Sequence, residues 1–149
     1  MWVSTKAQYG MRALVEVALG GDQPTSLKVV AERQNLSHQY LEQIFSVLRR
    51  AGVVESVRGA QGGYRIAGPP ARVTALEVVE LLEGSVAPVT CIDDADTCIR
   101  TGHCFTEPLW RRVDAAVRQV LRNTTLQDLV AERHALELEP LPERFIELR

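Results

Sequence analysis

The sequence of 149 residues has no long apolar run and few residues of the types that carry catalysis or cross-linking. No stretch approaches the roughly 18 apolar residues that a membrane-spanning helix needs, and the first residues lack the basic and apolar regions of a signal peptide. Three cysteines cannot all pair with one another, so we expect reduced thiols and a cytoplasmic location. The three histidines (His38, His103 and His134) are scattered. Because we find no nucleophile–base set around them, we expect no enzyme activity.

The net charge of −2 hides an uneven distribution along the chain. Residues 1–72 carry nine Lys or Arg against five Asp or Glu, a net +4, whereas the remainder has eight Arg against fourteen acids, a net −6. A basic half beside an acidic half points to an anionic partner for the first half only. A chance fluctuation in solvated surface charge explains the same asymmetry about equally well.

The first helix is predicted to begin beside Ser4 and to end at Gly20-Gly21. Thr5 and Gln8 have the spacing of a capping box, in which two side chains satisfy free backbone N–H groups. Most of this helix belongs to the core, but its free N–H groups and its dipole also favour an anion at the start. We therefore expect Ser4 and Lys6 to contact a phosphate of the anionic partner.

Two more helices follow, over residues 27–34 and 38–50, with a three-residue turn at 35–37 between them. Helix, tight turn and helix form the helix-turn-helix arrangement, whose second helix enters a major groove. Its apolar stripe faces inward. The outward polar residues are suited to base edges: Ser37, His38, Gln39, Tyr40, Glu42 and Gln43. An ordinary amphipathic helix pair is the commoner explanation of this segment taken alone.

A β-hairpin is predicted directly after the third helix. Residues 53–57 alternate like a half-buried strand, 58–63 form a glycine-rich turn and 64–67 form the second strand. Glycine permits close approach to a sugar–phosphate backbone, and arginine suits a narrow minor groove. We therefore expect this wing to contact DNA through Arg58, Gly59, Gly62 and Gly63. A nucleotide-phosphate loop is a weak alternative, because the turn lacks the Walker lysine and the Rossmann spacing.

Three helices are predicted in the second half. The first covers 75–83 and opens with a capping box of Thr74 and Glu77. A long helix from 107 to about 122 carries an apolar band, with charged residues on its other sides, and a short helix covers 126–134. The band needs a partner. Folding back on its own chain is one possibility, but winged helices usually read palindromic sites. We therefore expect it to cross the same helix of a second subunit through Leu109, Trp110, Val113, Ala116, Val117, Val120 and Leu121.

These elements predict a mainly α-helical fold with a small β-hairpin wing, in which a winged helix-turn-helix is followed by a long dimerisation helix. The predicted parts are a DNA-binding domain at 1–72 and a linking helix with a cysteine loop at 73–106. A dimerisation helix and a short C-terminal helix occupy 107–135, and an acidic tail occupies 136–149.

All three cysteines lie in one short stretch, as Cys91, Cys98 and Cys104, with the spacing C-x6-C-x5-C. The residues between them are acidic, small and turn-prone, which predicts a loop without a periodic element. Thiolates suit both iron–sulfur clusters and zinc. Structural zinc sites typically use pairs about two to four residues apart, closer than either gap here. The spacing favours a cluster, 2Fe–2S or 4Fe–4S, over zinc and over free or redox-switching thiols.

The sequence resembles bacterial winged-helix regulators of the IscR/NsrR/CymR type along residues 1 to about 133. The resemblance is carried by the three cysteines and by Ser4-Thr5-Lys6, Tyr40-Leu41-Glu42-Gln43-Ile44-Phe45, Val57-Arg58-Gly59 with Gly62-Gly63-Tyr64, Leu109-Trp110 and Thr125-Leu126-x-Asp128-Leu129. It implies a homodimeric transcription factor with crossed long helices, in which Glu42 and Gln43 read bases while Arg58 and the wing enter the minor groove. It also implies a cluster on the three cysteines in the IscR and NsrR branches, whereas CymR-like members work without one.

The fourth cluster ligand departs from the pattern of that family. IscR-like members have a histidine three residues after the last cysteine, where this chain has Glu107, and their first cysteine gap is usually five residues, not six. NsrR-like members can use an aspartate of the partner subunit near position 8, where this chain has Gln8. Glu107 is the first candidate because of its position, and His103 is the second because imidazole is the better donor. A residue of the partner subunit or an exchangeable small molecule are the other candidates.

We therefore predict a transcriptional regulator that binds promoter DNA under the control of an iron–sulfur cluster sensing cluster status, redox state or nitric oxide. Ligation would order the cysteine loop and so change the spacing or orientation of two recognition helices. One alternative is a winged-helix regulator with a structural zinc or redox-active thiols in place of the cluster. The other is an iron–sulfur or zinc interaction module that does not bind DNA.

Overall fold

The computed structural model describes residues 3–137 and begins with three helices, α1 (Thr5–Leu19), α2 (Leu27–Gln34) and α3 (His38–Arg50). Each is preceded by a serine whose hydroxyl accepts a hydrogen bond from the backbone N–H three residues on. These bonds satisfy one of the free donors in each first turn: Ser4 with Ala7, Ser26 with Val29 and Ser37 with Tyr40.

The predicted bounds of α2 and α3 are confirmed, and Asn35 turns the chain between them at a φ of 52°. Asparagine tolerates this left-handed conformation better than most residues. The capping box predicted for Thr5 and Gln8 is wrong. Ser4 is the cap of α1, and the Gln8 side-chain amide donates to the Val3 carbonyl.

Two short antiparallel strands, β1 (Val54–Val57) and β2 (Gly63–Ile66), form the predicted hairpin after α3. The hairpin is also held from outside, because Thr25 exchanges backbone hydrogen bonds of 2.8 and 2.9 Å with Tyr64. The Tyr64 ring packs on the Phe45 ring with centroids 5.1 Å apart. These contacts fix the base of the wing against the helix-turn-helix.

The core forms around the apolar side of α3, as its sequence pattern predicts. Leu41, Ile44, Phe45 and Leu48 are each 0% exposed. Residues of α1, α2 and the C-terminal half pack in the same cluster: Leu14, Val17, Val30, Val78, Leu82, Leu126 and Val130. Full burial of a large apolar side chain contributes about 1.5–3 kcal/mol. The C-terminal half therefore helps to stabilise the helix-turn-helix.

Four further helices follow among the described residues: α4 (Ala75–Glu83), α5 (Thr90–Asp93), α6 (Glu107–Asn123) and α7 (Leu126–Glu137). The predicted bounds of α4 are confirmed. Helix α6 agrees closely with the prediction, and α7 extends beyond the predicted end at His134. Among residues 3–137, no helix combines the length and the apolar character needed to cross a membrane. From position 138 onward, the predicted acidic tail lies outside the described residues.

The segment just before α7 pairs with the segment just before α4. The Ala75 N–H donates to the Thr124 carbonyl and the Leu126 N–H donates to the Val73 carbonyl, each over 2.8 Å. This pair of bonds joins the start of α4 to the start of α7. We call it the return bridge.

The loop predicted around the cysteines contains regular structure, so the prediction of no periodic element is wrong. The Asp94 N–H donates to the Thr90 carbonyl at 3.0 Å, which closes the single turn of α5. A 3-10 turn follows at Ala95–Thr97, and the Asp94 side chain caps it by accepting from the Asp96 N–H. Local aspartate caps therefore order a stretch whose composition predicts a loop.

The carboxylate of Glu16 on α1 is buried, and this residue is only 2% exposed. One oxygen accepts a 2.7 Å hydrogen bond from the Gln34 amide and lies 3.6 Å from Arg133, while the other lies 3.4 Å from Arg33. A buried charge is costly unless it is paired. These contacts satisfy Glu16 and tie α1 to α2 and α7.

We predict that Gly63→Ala destabilises the protein, because a Cβ at this position would lie 2.3 Å from the Thr25 carbonyl oxygen. The wing would have to move off the loop before α2, and overpacking of this kind costs about 1–3 kcal/mol. Gly68→Ala is the matched control, since a Cβ there would meet nothing within 4 Å. Urea unfolding measures both changes in unfolding free energy. Equal values for the two variants would contradict the tight packing at the base of the wing.

Candidate DNA-binding surface and cysteine segment

The solvent-facing side of α3 carries polar groups, because the other side is buried in the core. Gln39, Glu42 and Gln43 are exposed and line a surface depression together with Ser46 and Arg50. The Arg50 guanidinium bonds to the Ser46 carbonyl and hydroxyl, both at 3.3 Å. Side-chain amides and carboxylates can donate to and accept from base edges. Three of the predicted base readers therefore share one open surface.

The other residues predicted on this surface have partners within the chain. Ser37 caps α3, and His38 Nδ1 lies 3.8 Å from the Glu42 carboxylate. The half-buried Tyr40 ring meets the Tyr9 ring edge-on, with centroids 6.3 Å apart and an interplanar angle of 89°. These contacts position the start of α3. Direct contact of Ser37, His38 and Tyr40 with DNA stays a prediction.

The glycines of the wing differ in what surrounds them. Gly59 has a φ of 122°, and a Cβ there would meet nothing within 4 Å. At Gly62 and at Gly63 a Cβ would lie 2.3 Å from a backbone carbonyl oxygen of the chain itself. Contacts within the chain thus account for Gly62 and Gly63. The open space that close approach of a DNA backbone requires lies at Gly59, beside the exposed Arg58.

The start of α1 already binds a negative group of the chain. The Ser4 N–H donates a 2.6 Å hydrogen bond to the Glu83 carboxylate at the end of α4. The positive end of a helix dipole favours such a group, so a DNA phosphate placed there would compete with Glu83. Lys6 lies in the first turn and is half-buried. The phosphate contacts of Ser4 and Lys6 stay predictions.

The three cysteines lie at different points of residues 90–104, which we call the cysteine segment. Cys91 is within α5, Cys98 directly follows the 3-10 turn, and Cys104 precedes α6. All three are free and partly exposed. Within residues 3–137, no three Cys, His, Asp or Glu side chains lie close enough together to hold a metal ion. The thiols suit an iron–sulfur cluster chemically, but the segment must draw them together to bind one.

Cys104 has a hydrogen-bond partner that the sequence does not single out. Its Sγ lies 3.2 Å from Thr106 Oγ1. This side-chain bond, helped by the Thr106 backbone N–H, lowers the pKa of the Cys104 thiol, while partial burial and the charge of Glu107 oppose the change. A lower pKa raises the fraction of thiolate, which is both the nucleophile and the metal ligand. A threonine near a cysteine has no distinctive spacing, so sequence reasoning misses it.

Glu107, the first candidate for a fourth ligand, is bound within the chain. One carboxylate oxygen accepts hydrogen bonds of 2.9 and 2.7 Å from Arg111, and the other lies 3.4 Å from the Gly102 N–H. The Arg111 bond contributes most to lowering the pKa of Glu107. Glu107 would have to leave Arg111 to become a ligand. His103, the second candidate, is exposed.

The predicted dimerisation stripe of α6 is only partly covered within one chain. No residue of α6, all of which the structure describes, is buried. Leu109 is 43% exposed and Val120 is 65% exposed. Leu121 packs on a small apolar cluster from the chain itself: Leu76, Val79 and Val86. Leu109, Ala116 and Val120 are therefore the stripe residues most open to a second subunit, and the dimer contact stays a prediction.

Arg118 connects α6 to two other elements, although the sequence pattern assigns it to a solvated side of the helix. Its guanidinium contacts Asp114 on α6, Glu80 on α4 and Asp93 on α5. The hydrogen bond to Asp114 contributes most to raising the pKa of Arg118. Glu80 lies 38 positions earlier in the chain. Only the folded arrangement reveals this group.

Comparison with known proteins places these features in a family. The family model for Rrf2, described as an iron-dependent transcriptional regulator, matches residues 3–132. The HTH-type transcriptional regulator CymR of Bacillus subtilis strain 168 is 43% identical over 132 residues, which are 88% of this chain and 91% of that protein.

Solved structures agree with the sequence matches. CymR of B. subtilis, described as the global cysteine regulator, aligns with a TM-score of 0.75 and 42% identity over 89% of this chain and 98% of that one. IscR of T. potens aligns with a TM-score of 0.76 and 37% identity, covering 94% of this chain and 93% of that one. The fold is shared with both regulators.

We predict that Thr106→Val raises the pKa of Cys104, because it removes the largest of the hydrogen bonds that lower it. At neutral pH less thiolate is present, so Cys104 should react more slowly with iodoacetamide. The measurement is the alkylation rate of each cysteine against pH, followed by mass spectrometry. Thr97→Val is the control, since the Thr97 hydroxyl bonds to the Asp94 carbonyl and not to a thiol. An unchanged profile for Cys104 would show that Thr106 does not set its pKa.

Proposed function

The chain belongs to the Rrf2 family of transcriptional regulators, and from this premise we propose how its parts divide the work. A winged helix-turn-helix at residues 1–72 binds promoter DNA, residues 73–106 sense a chemical signal, and the helices at 107–135 hold two subunits together. The observation that carries the proposal is the polar, exposed side of α3 beside a wing, in a chain whose cysteines lie between α3 and the long helix α6.

Base reading by α3 is supported by the shared exposure of Gln39, Glu42 and Gln43. A glutamine amide pairs with adenine, and a carboxylate accepts from the amino group of cytosine. The exposed Arg58 at the tip of the wing suits a narrow minor groove. The net charge of +4 on residues 1–72 adds attraction to phosphates that does not depend on sequence.

Association into a homodimer is supported by the partly uncovered apolar stripe of α6, with Leu109 and Val120 exposed. A helix of this kind is stabilised mainly by packing its apolar side on a partner. Pairing with an identical helix gives a two-fold symmetric dimer. Two symmetric copies of α3 would then read two half-sites of a palindrome.

An iron–sulfur cluster is the cofactor that we propose for the cysteine segment. Cys91, Cys98 and Cys104 would hold it, with Glu107, His103 or a group from outside the chain as the fourth ligand. The description of the family as iron-dependent supports iron as the metal. When bound, the cluster supplies one-electron chemistry and sensitivity to oxidants and nitric oxide. The Thr106 hydroxyl beside Cys104 fits this use, since hydrogen bonds to the sulfurs tune such centres.

Control of DNA binding follows from the position of the cysteine segment between α4 and α6. Gathering the three thiols around one cluster would require the segment to change shape, since residues 3–137 hold no group of three ligands placed to bind a metal ion. Helix α4 packs in the same core as α3, through Val78 and Leu82. A shift of α4 or α6 would therefore alter how two copies of α3 face DNA. Coupling of about 1–3 kcal/mol is typical between such sites and changes affinity roughly 5- to 150-fold.

Thiol chemistry without iron is a second candidate, and the similarity to CymR favours it. That relative is described as a global cysteine regulator and is 42% identical to this chain in its solved structure. The lowered pKa of Cys104 also supports reactivity without any metal. Both candidates use the same segment, but they differ in whether iron is bound.

We predict that Cys98→Ala abolishes iron binding and visible absorbance after anaerobic reconstitution, because two thiolates and one further ligand leave the cluster short of the four ligands that it needs. Metal analysis and absorbance spectra of wild type and variant provide the measurement. Ile99→Ala is the control, since this neighbouring side chain is 102% exposed and has no sulfur.

Each outcome for the wild type selects one candidate. Iron and colour support the cluster, and zinc indicates a structural metal. A colourless, metal-free protein whose DNA binding changes on thiol oxidation indicates the thiol switch. An iron-loaded Cys98→Ala variant with an unchanged spectrum would contradict the cluster site.

We predict that Gln43→Ala weakens binding to the specific promoter by about 1–3 kcal/mol and changes binding to random DNA little. The reason is that a base reader discriminates among sequences, whereas phosphate contacts act on all of them. Fluorescence anisotropy at a fixed salt concentration measures both affinities. Gln23→Ala, an exposed glutamine before α2, is the control. Equal losses on specific and random DNA would show that Gln43 does not read bases.

A further inference from the structure

A charged cluster outside the predicted site residues surrounds Arg118. Its Nε lies 3.1 and 3.0 Å from the two oxygens of Asp114, one terminal nitrogen lies 2.7 Å from Glu80, and the other lies 3.5 Å from Asp93. The side chain is only 26% exposed. One guanidinium thus joins α4, α5 and α6.

The chemistry of this group requires the arginine. Three carboxylates gathered at one place repel each other, and a planar guanidinium can bind several of them along its separate edges. A lysine has three N–H donors, but all of them start from one nitrogen, so they could not reach the separated positions that the three guanidinium nitrogens reach. If Arg118 loses its contact with one carboxylate, the other two carboxylates still attract its guanidinium. The positions of α4, α5 and α6 are therefore linked through one side chain.

Asp93 brings the cysteines into this group, because it follows Cys91 by two residues within α5. Its carboxylate also accepts a hydrogen bond from the Ser85 hydroxyl, which lies just beyond the end of α4. Helix α5 has four residues, no side-chain cap and no buried residue. The bonds of Asp93 are thus important ties between the cysteine segment and the rest of the protein.

We propose that Arg118 is the positioning residue that transmits the state of the cysteine segment to α4 and α6. This inference rests on the proposed function, in which gathering or oxidising the thiols changes DNA binding. Any rearrangement that brings Cys91 toward the other cysteines moves Asp93 with it. The Arg118 side chain then either moves with Asp93 or loses its contact with Asp93 and keeps Glu80 and Asp114. In either case the packing of α6 against α4 changes.

The first test asks whether Arg118 holds the cysteine segment, and it needs no cofactor. Amide hydrogen exchange is measured over residues 90–97 in the reduced, metal-free, full-length protein. Arg118→Gln and Asp93→Asn should each raise exchange several-fold there, whereas Arg112→Gln, at an exposed position on the same helix, should not. Asp93→Asn is the second variant in case Arg118→Gln unfolds, since Asp93 is exposed. Unchanged exchange in both variants would overturn the proposal.

The second test asks whether the contact between Arg118 and Asp93 transmits the state of the cysteines to DNA binding. The ratio of promoter affinities between the reduced form and the reconstituted or oxidised form is measured for wild type, Arg118→Gln, Asp93→Asn and the double variant. We expect the ratio to fall toward one in both single variants, with no further fall in the double variant, because the two changes break the same contact. Arg112→Gln should keep the wild-type ratio.

The outcomes separate this inference from the proposed function. A wild-type ratio of one contradicts the proposed function and the transmission role together. A normal wild-type ratio that Arg118→Gln and Asp93→Asn preserve contradicts the role of Arg118 alone. A ratio that falls together with the thermal unfolding midpoint, and equally in all variants including Arg112→Gln, reflects general destabilisation and also overturns the inference.

Discussion

The burial of one side of α3 is the constraint on which the rest of the structure depends. Leu41, Ile44, Phe45 and Leu48 are completely enclosed, so the helix cannot rotate about its axis without exposing them to water. Its polar side is therefore fixed outward. The wing obeys the same constraint, because Tyr64 packs on Phe45. Helix α3 and the hairpin are thus oriented by a shared set of apolar contacts.

The same core makes the helix-turn-helix dependent on the later helices of the chain. Val78 and Leu82 from α4 and Leu126 and Val130 from α7 complete the cluster. The buried Glu16 adds a polar tie to α2 and α7. A helix-turn-helix whose core is completed by later helices responds to movements of those helices. The signalling proposed for the cysteines would use this dependence, because packed side chains connect α4 and α7 to α3.

Much of the fold can be predicted from the sequence because its signals are local. A serine before an apolar stripe marks the start of α2 and of α3, and Thr74 does the same for α4. The exposed polar side of α3 and the position of the cysteines are equally readable. The need for glycine at positions 62 and 63 cannot be predicted from the sequence, because folding alone brings the carbonyl groups close to them.

The features that sequence reasoning misses depend on residues far apart in the chain. Glu16 looks like an ordinary helix residue until Arg33, Gln34 and Arg133 converge on it. Arg118 has an ordinary i,i+4 partner in Asp114, which hides its contacts with two other elements. Periodicity tells which side of a helix is apolar. Periodicity does not predict which charged residues on the polar side will form ion pairs with other elements.

The return bridge gives the C-terminal half a particular mechanical character. The residues just before α4 and those just before α7 are hydrogen-bonded to each other. The chain from α4 to α6 therefore forms a closed loop whose two ends are held together. The two hydrogen bonds hold the ends of this loop side by side, and Leu126 and Val130 hold α7 on the core. A rearrangement at the cysteines is therefore accommodated between α4 and α6, without displacing the point at which α7 begins.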